Sequence, residues 1–420
     1  MTEKMNRLTF SFDELLHSIP EEVWQLLEIL WQHKIMTVLV GGATRDYVYE
    51  KKIAKDLDFE VQLNSNERWP ETLEKAAKII QTNLGIKFER KSFSIISFNV
   101  KDFQLEFAPA RLELYGYVNH QSATGHSDFE VEMPRQLAWE KAFSRRDFSI
   151  NSIGLLIQNR NQAQLIDPYQ GIEDLNQKII RPIGDNFYRD PVRFLRAIRF
   201  KQKINGQYSP ELVESCKKFN CSKITLHYFK YESFKYGFWD FCHEFFKLTK
   251  TYTIAIPDWL QKIEFIKDLK GPEARNENDV YAILTSLNEK KPSSEIDEFA
   301  IQFRVNSKVQ QEWKQLNNCL NNLINYQETI QISLNNSFED WSQQSLASDI
   351  QRSSKIWAKI LEKNYQKEVI EYWQMKHPLL MIIEKINSLL KTLSPEQIPS
   401  HIAAEKRALY LCYLALQKLK

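Results

Sequence analysis

The stretch from Ile35 to Val61 limits most tightly what this chain can fold into. Ile35 to Val40 is mostly apolar and β-branched, which predicts a buried strand, and Gly41-Gly42 behind it lets the backbone turn sharply and come close to a ligand. A helix is expected to begin near Ala43. Its free N–H groups and positive dipole end suit a polyphosphate, and Arg45 adds a fixed charge with a bidentate fork. In the next strand Asp56, Asp58 and Glu60 alternate with Leu57, Phe59 and Val61, so the acidic side chains share a face while the apolar ones pack inward. Neighbouring carboxylates repel unless a cation lies between them. Hard oxygen ligands of this kind suit Mg²⁺, which takes one or two carboxylates and completes its shell with phosphate and water. Leu105-Glu106-Phe107, in a strand expected from Phe103 to Ala108, offers a further carboxylate. A Gly-Gly pair alone is usually a turn and an alternating acidic strand alone a solvated face; their order and spacing make the combination specific.

More motifs follow. They are Arg145-Arg146-Asp147-Phe148-Ser149-Ile150-Asn151, then Asp167-Pro168-Tyr169-Gln170-Gly171-Ile172-Glu173-Asp174-Leu175, then Arg189-Asp190-Pro191-Val192-Arg193-Phe194-Leu195-Arg196-Ala197-Ile198-Arg199-Phe200. Together with Gly41-Gly42-Ala43-Thr44-Arg45-Asp46 and Asp56-Leu57-Asp58, this series resembles class II tRNA nucleotidyltransferases and bacterial poly(A) polymerases over about residues 35–205. Two positions depart from the family pattern: Thr44 stands where Val is usual, and Arg189 where Glu is usual. The second removes one acidic contact and leaves Asp190 and Arg193 in place.

The resemblance implies an α+β chain: a mixed-sheet nucleotidyltransferase head of the polymerase β type, followed by an all-α C-terminal half. It implies Asp56, Asp58 and Glu106 as catalytic carboxylates, with Asp56 and Asp58 holding two Mg²⁺ ions that activate an RNA 3′-hydroxyl and neutralise departing pyrophosphate. Gly41, Gly42, Arg45 and Asp46 would lie on the nucleotide, and Arg145, Arg146, Asp147 and Asn151 on its ribose and triphosphate. Asp190 and Arg193, three apart at a helix start, share a face where Asp accepts from an exocyclic amine and Arg donates to ring acceptors. Cytosine and adenine offer that pattern; guanine and uracil do not. Asp190-Pro191 is equally a good N-cap with Pro at the first helical position. Arg196 and Arg199 continue the series as a basic ridge that meets triphosphate or RNA, or is simply solvated.

At 420 residues and 43% apolar side chains the chain can bury a sizeable core and form two or more domains. A net charge of +2 means that RNA affinity must come from local patches. Cys216, Cys221, Cys242, Cys319 and Cys412 are odd in number with no zinc spacing, which fits a reducing cytoplasm. There is no charged-then-apolar leader and no apolar run near about 18 residues, so neither secretion nor a membrane span is expected. The absence of an adjacent His-Asp pair argues against the phosphohydrolase module that some family members append.

The expected organisation is a head at 1–168, a helical neck carrying the base template at 169–230, and a helical body and tail at 231–420 that cradle the tRNA acceptor and TΨC arms. A helix is expected at Pro20 to His33 and strands at 35–40, 56–63, 93–100, 103–108, 150–157 and 163–166. Arg111 to Trp139, with Gly116 and Gly125, reads as a long loop; its family equivalent helps switch from C to A addition. Farther on, Leu361, Tyr365, Val369, Ile370 and Trp373 recur at helical spacing, and lysines such as Lys230 and Lys235 interleave with Tyr231, Phe234 and Tyr236, as an RNA-gripping surface or an ordinary amphipathic helix would. The resulting expectation is a template-independent enzyme that adds or repairs the tRNA 3′-terminal CCA from CTP and ATP. Alternatives are a CC-adding or A-adding enzyme or a poly(A) polymerase; Arg90 to Phe98 resembles the tRNA-specific members more. An inactive RNA-binding protein is the different-class alternative, against which Asp56, Asp58 and Asp190 argue.

Overall fold

The computed structural model describes residues 12–114, 130–271, 274, 280, 283–284, 287, 291–324, 337–343, 345–362, 371, 374–375 and 379–418. It divides into two compact units, Met1–Ile224 with Leu248–Ile256, and Thr225–Lys247 with Pro257–Lys420. Residues 169–224 fall within the first unit, and the break after Ile224 lies near the expected start of the body at 231.

The first unit is built on a sheet of seven strands, β1 Ile35–Val40, β2 Asp56–Leu63, β3 Phe88–Arg90, β4 Ile96–Val100, β5 Phe103–Pro109, β8 Gly154–Asn159 and β9 Gln162–Ile166, in the order β3-β4-β5-β2-β1-β8-β9. A small separate hairpin pairs β6 Leu112–Leu114 with β7 Glu130–Glu132. β1 lies antiparallel to both β2 and β8, whereas β2 and β5 run parallel, so the sheet is mixed as expected. β1 is central and buried at Ile35, Val38, Leu39 and Val40, which explains its continuous apolar run. The helix over Glu21–Gln32 buries Val23, Trp24, Leu26, Leu27, Ile29 and Leu30, a face at helical period. Phe59 stacks on Phe107 at 4.8 Å, and Phe98 meets Phe107 edge-on at 5.8 Å, locking β4, β5 and β2 together.

Some expected elements start elsewhere. The strand expected at 93–100 begins at Ile96, because Ser92–Ser94 forms a tight turn in which Phe93 and Ser94 take left-handed backbone with φ of 58° and 57°. The strand expected at 150–157 begins at Gly154; Ser149–Asn151 is a short 3₁₀ turn whose backbone is held by Asp147, which accepts from the Phe148 N–H, and by the Ser152 hydroxyl on the Phe148 carbonyl. The expected loop at 111–139 contains the β6–β7 hairpin, while Gly116 and Gly125 lie outside the described residues. The segment Asp167–Leu175 has a structural role. Asp167 accepts from the N–H groups of Gly171 and Ile172, Asp174 accepts from the Ser149 hydroxyl at 2.6 Å, and a Cβ on Gly171 would lie 2.2 Å from the Ser149 carbonyl oxygen.

Every element of the second unit among the described residues is helical, including Leu226–Ser233, Ser293–Gln302, Ser345–Glu362, Leu379–Leu390 and Arg407–Gln417. Phe229 and Phe234 are buried and Tyr231 and Tyr236 exposed, the division expected of an amphipathic helix. Of the helical-spacing pattern that begins at Leu361, Tyr365, Val369, Ile370 and Trp373 lie outside the described residues. Cys216, Cys221, Cys242 and Cys412 are free and buried, and no described helix is long and apolar enough to cross a membrane.

Candidate active site

The glycine turn and the acidic strand meet at one end of the sheet. Val40, the last residue of β1, is the register partner of Asp58 in β2, so Gly41 falls beside that aspartate. A Cβ on Gly41 would sit 3.5 Å from Asp58 Oδ2 and 3.6 Å from Arg146 Nη1, and its φ of 77° with ψ of −127° is a conformation that glycine alone adopts freely. The helix Gly42–Glu50 starts here, so its first N–H groups open at the same end. Asp56 and Asp58 are exposed while Leu57 and Phe59 are buried, as the alternation predicts. In the parallel pairing of β2 with β5, Asp58 lies beside Glu106. Loss of water around its carboxyl pushes the pKa of Asp58 up; Arg146 pulls it down, and Glu106 and Asp56 add to the rise.

The acidic neighbours of Asp58 make this a place where a bound cation would relieve charge. The donors are hard carboxylate oxygens, and among the described residues no three His, Cys, Asp or Glu side chains form a group that could hold a metal. A divalent ion held by Asp56 and Asp58 would complete its shell with phosphate and water, the habit of Mg²⁺. Glu106 accepts an ion pair from Lys91.

Glu60 departs from the expected acidic face. It is 0% exposed, and its Oε2 accepts from Arg145 Nη2 at 3.1 Å and Arg146 Nη2 at 3.0 Å. The physical reason is that the segment after β7 covers this end of β2, where the Leu63 N–H reaches the Arg135 carbonyl and Gln62 bonds both backbone groups of Leu137. Only Asp56 and Asp58 keep the open part of the face.

The remaining motif residues form one connected network. Arg45 is buried and donates to Asp46 at 2.7 Å and to Asn151 Oδ1 at 2.5 Å. Asn151 donates to Asp147 at 2.8 Å, and Arg196 donates to the other oxygen of Asp147 at 2.6 Å. Burial opposes ionisation of Asp147, but Arg196, Asn151 and Arg193 outweigh it and hold its pKa at about 2. Lys203, at the end of the helix Pro191–Lys203, closes onto Asp46 at 2.6 Å. Arg193 donates to the Arg145 carbonyl at 2.6 Å, with Asp190 Oδ2 at 3.8 Å from its Nε. Asp190 Oδ1 accepts from the Val192 N–H at 2.9 Å, so the N-cap expected from Asp190-Pro191 is present. Arg199 is buried with its guanidinium 4.2 Å from the Phe200 ring centroid, not part of a solvated ridge. Thr44 has a use that Val would lack, donating to the Ile153 carbonyl at 2.7 Å, and Arg189 is exposed.

Four neighbours of the site were not anticipated. Glu113 lies 3.0 Å from Arg111 and 3.9 Å from Arg193, and Arg111 in turn lies 4.6 Å from the ring centroid of Phe93. Lys91 is the fourth. The alternation Arg111-Leu112-Glu113 was the available signal for the first pair; a lone lysine or phenylalanine gives none.

Residues 37–181 match the family described as the poly A polymerase head domain. A CCA-adding enzyme from Actinobacillus succinogenes is 33% identical over 192 residues, 45% of this chain and 42% of that protein. An A-adding tRNA nucleotidyltransferase from Aquifex aeolicus is 30% identical over 173 residues, 41% of this chain and 19% of that protein. The chain thus spans less than half the length of these relatives. A solved CCA-adding enzyme with ATP shares the fold at a TM-score of 0.58 and 18% identity, over 98% of this chain and 94% of the other. The Bacillus stearothermophilus CCA-adding enzyme with CTP does so at 0.53 and 16%, over 95% and 92%.

Proposed function

We infer, from the match of residues 37–181 to the poly A polymerase head domain and the likeness to CCA-adding enzymes, a template-independent tRNA nucleotidyltransferase of the class II family that builds or repairs the 3′-terminal CCA from CTP and ATP, releasing pyrophosphate. The observation that carries this reading is the close approach of Gly41 to Asp58, which sets the N–H groups of a helix start beside two exposed carboxylates. Asp56 and Asp58 would hold Mg²⁺. Bound there, the metal supplies a lowered pKa for the RNA 3′-hydroxyl and charge neutralisation at the departing pyrophosphate. The N–H groups at the start of Gly42–Glu50 would receive the triphosphate. Arg45 and Arg146 act behind them, Arg45 fixing Asn151 and Arg146 tempering the charge on Asp58.

Asp147, kept ionised, and Asn151 would accept from and donate to the ribose hydroxyls. Asp190 divides its work between two oxygens: Oδ1 caps the helix, and Oδ2 with Arg193 would read an exocyclic amine beside a ring acceptor. The helical second unit would hold the tRNA acceptor and TΨC arms.

Relatives named for CCA addition and for A addition match at nearly equal identity, so identity does not distinguish the product. The test is incubation with tRNAs ending before CCA, after C and after CC, with CTP and ATP supplied separately and together. Completion of all three ends supports full CCA addition. Extension that stops at CC gives the CC-adding enzyme, extension of the CC end alone gives the A-adding enzyme, long A tails give a poly(A) polymerase, and no incorporation overturns the reading.

A further inference from the structure

We propose that Lys91 is a positioning residue that holds the Glu106 carboxylate out of the metal shell, leaving Asp56 and Asp58 as the ligands among the described residues. The proposal rests on the reading of those two aspartates as the metal site.

Lys91 Nζ donates to Glu106 Oε1, and Gln104 Nε2 lies 3.4 Å from the same oxygen. The two side chains of the pair are 39% and 30% exposed, so neither is a freely waving surface group. Glu106 stands beside Asp58 in the parallel register, which places the ammonium at the edge of the acidic cluster. It acts on Asp58 in the direction opposite to Glu106 and Asp56.

The backbone fixes this placement. The Lys91 N–H donates to the Ile95 carbonyl at 2.8 Å, closing a turn in which Phe93 and Ser94 are both left-handed. Two successive non-glycine residues in that region are costly, and such strain persists only where the surroundings over-determine it. Here the Phe93 ring lies on the Arg111 guanidinium, whose Nη2 is 3.0 Å from Glu113. One strained turn therefore presents Lys91 to the acidic side of the site and Phe93 to the basic side.

A lysine in this position has two effects. It engages the Glu106 oxygen, and it puts a positive charge next to Asp58 where a divalent ion would otherwise gain. Metal would then bind weakly to the protein alone and firmly only with the triphosphate that completes its shell. The arrangement also keeps the carboxylates ordered before the nucleotide arrives.

The test is Mn²⁺ titration of the full chain, followed by the electron paramagnetic resonance signal of free Mn²⁺ without nucleotide. Lys91→Met should tighten Mn²⁺ binding by roughly tenfold, Glu106→Gln should leave it within about twofold of wild type, and Lys91→Met added to Glu106→Gln should tighten it by clearly less than Lys91→Met does alone. Melting curves check that each variant folds, and Lys91→Gln replaces Lys91→Met in the cycle if the latter does not. Unchanged binding in Lys91→Met, or weakened binding in Glu106→Gln, overturns the proposal. So does equal tightening by Lys91→Met in the Glu106→Gln background, since charge repulsion alone would then account for it. Failure of the underlying reading shows separately, as Mn²⁺ affinity that does not fall in Asp56→Asn or Asp58→Asn.

Discussion

Glu60→Gln is the sharpest test of how this site is held together. The substitution keeps the shape of a fully buried side chain and removes the charge on which two arginines converge. Both arginines contact the same oxygen, Oε2, and Oε1 has no hydrogen-bond partner among the described residues. An amide placed with its oxygen on the arginines turns its NH₂ toward a place without an acceptor; the flipped amide aims donors at donors. Breaking a buried ionic group by removing one partner costs about 3–5 kcal/mol. Arg145 and Arg146 retain 16% and 15% exposure, so each can recover some hydration, which puts the expectation near the lower bound, about 3 kcal/mol.

With two compact units in the chain, a global melting curve mixes contributions, and the suitable assay is hydrogen exchange on peptides covering Ile35–Val40 and Asp56–Leu63. Their opening free energy should fall by about 3 kcal/mol while exchange in Leu379–Leu390 is unchanged. A Glu60→Leu, Arg145→Met, Arg146→Met combination should cost less than the sum of its single variants, because it leaves no buried charge unpaired. A fall below about 1 kcal/mol for Glu60→Gln, or simple additivity, would refute the account of Glu60 as the anchor of both arginines.

Asp58→Asn should abolish nucleotide incorporation, yet leave the head as stable as wild type or more so in buffer without divalent ions, because the raised pKa of Asp58 means that its charge opposes folding at neutral pH; retained turnover would defeat the assignment. For Asp147 the sign is reversed. Its pKa is lowered from 3.8 to about 2, so its stabilisation is fully present above pH 3.8 and is lost as the pH falls toward 2. The loss amounts to about 2 kcal/mol, and Asp147→Asn should flatten the acid limb of a stability-versus-pH curve there. Asp190→Ala should lose about 1 kcal/mol of helix capping, whereas Asp190→Asn should keep the cap and alter the preference among the four NTPs; unchanged C and A selection in Asp190→Asn would limit Asp190 to capping.

What could be read in the sequence was what depends on local period. The run Ile35 to Val40 became the central strand, Asp56–Leu63 kept its alternation through Asp58, and Glu21–Gln32 kept its apolar face. What could not be read depends on chain that is distant in sequence. Glu60 has the same alternation signal as Asp58, and what distinguishes them is the covering segment near Arg135 to Arg146. Phe93 and Ser94 sit in an apolar, strand-like stretch, but the local backbone preference is overridden by the Lys91–Glu106 and Phe93–Arg111 contacts. Arg45 reads in the sequence as a forked cation at a helix start, with no local sign of a side-chain partner. Its partner Asn151 lies more than a hundred positions away.

These pairings change the meaning of the motif charges. Arg45, Asn151, Asp147 and Arg196 form a continuous chain of bonds from the glycine-turn helix to the helix Pro191–Lys203, and Asp46 with Lys203 forms a second tie between the same two helices. Arg193 ties the helix Pro191–Lys203 to the Arg145 carbonyl, and Glu60 fastens Arg145 and Arg146 to the acidic strand. The residues proposed to receive triphosphate, ribose and base are therefore parts of one braced assembly. The proposed selection of two bases out of four gains from such bracing, because a hydrogen-bond pattern discriminates only while its donors and acceptors stay where the wrong base cannot satisfy them.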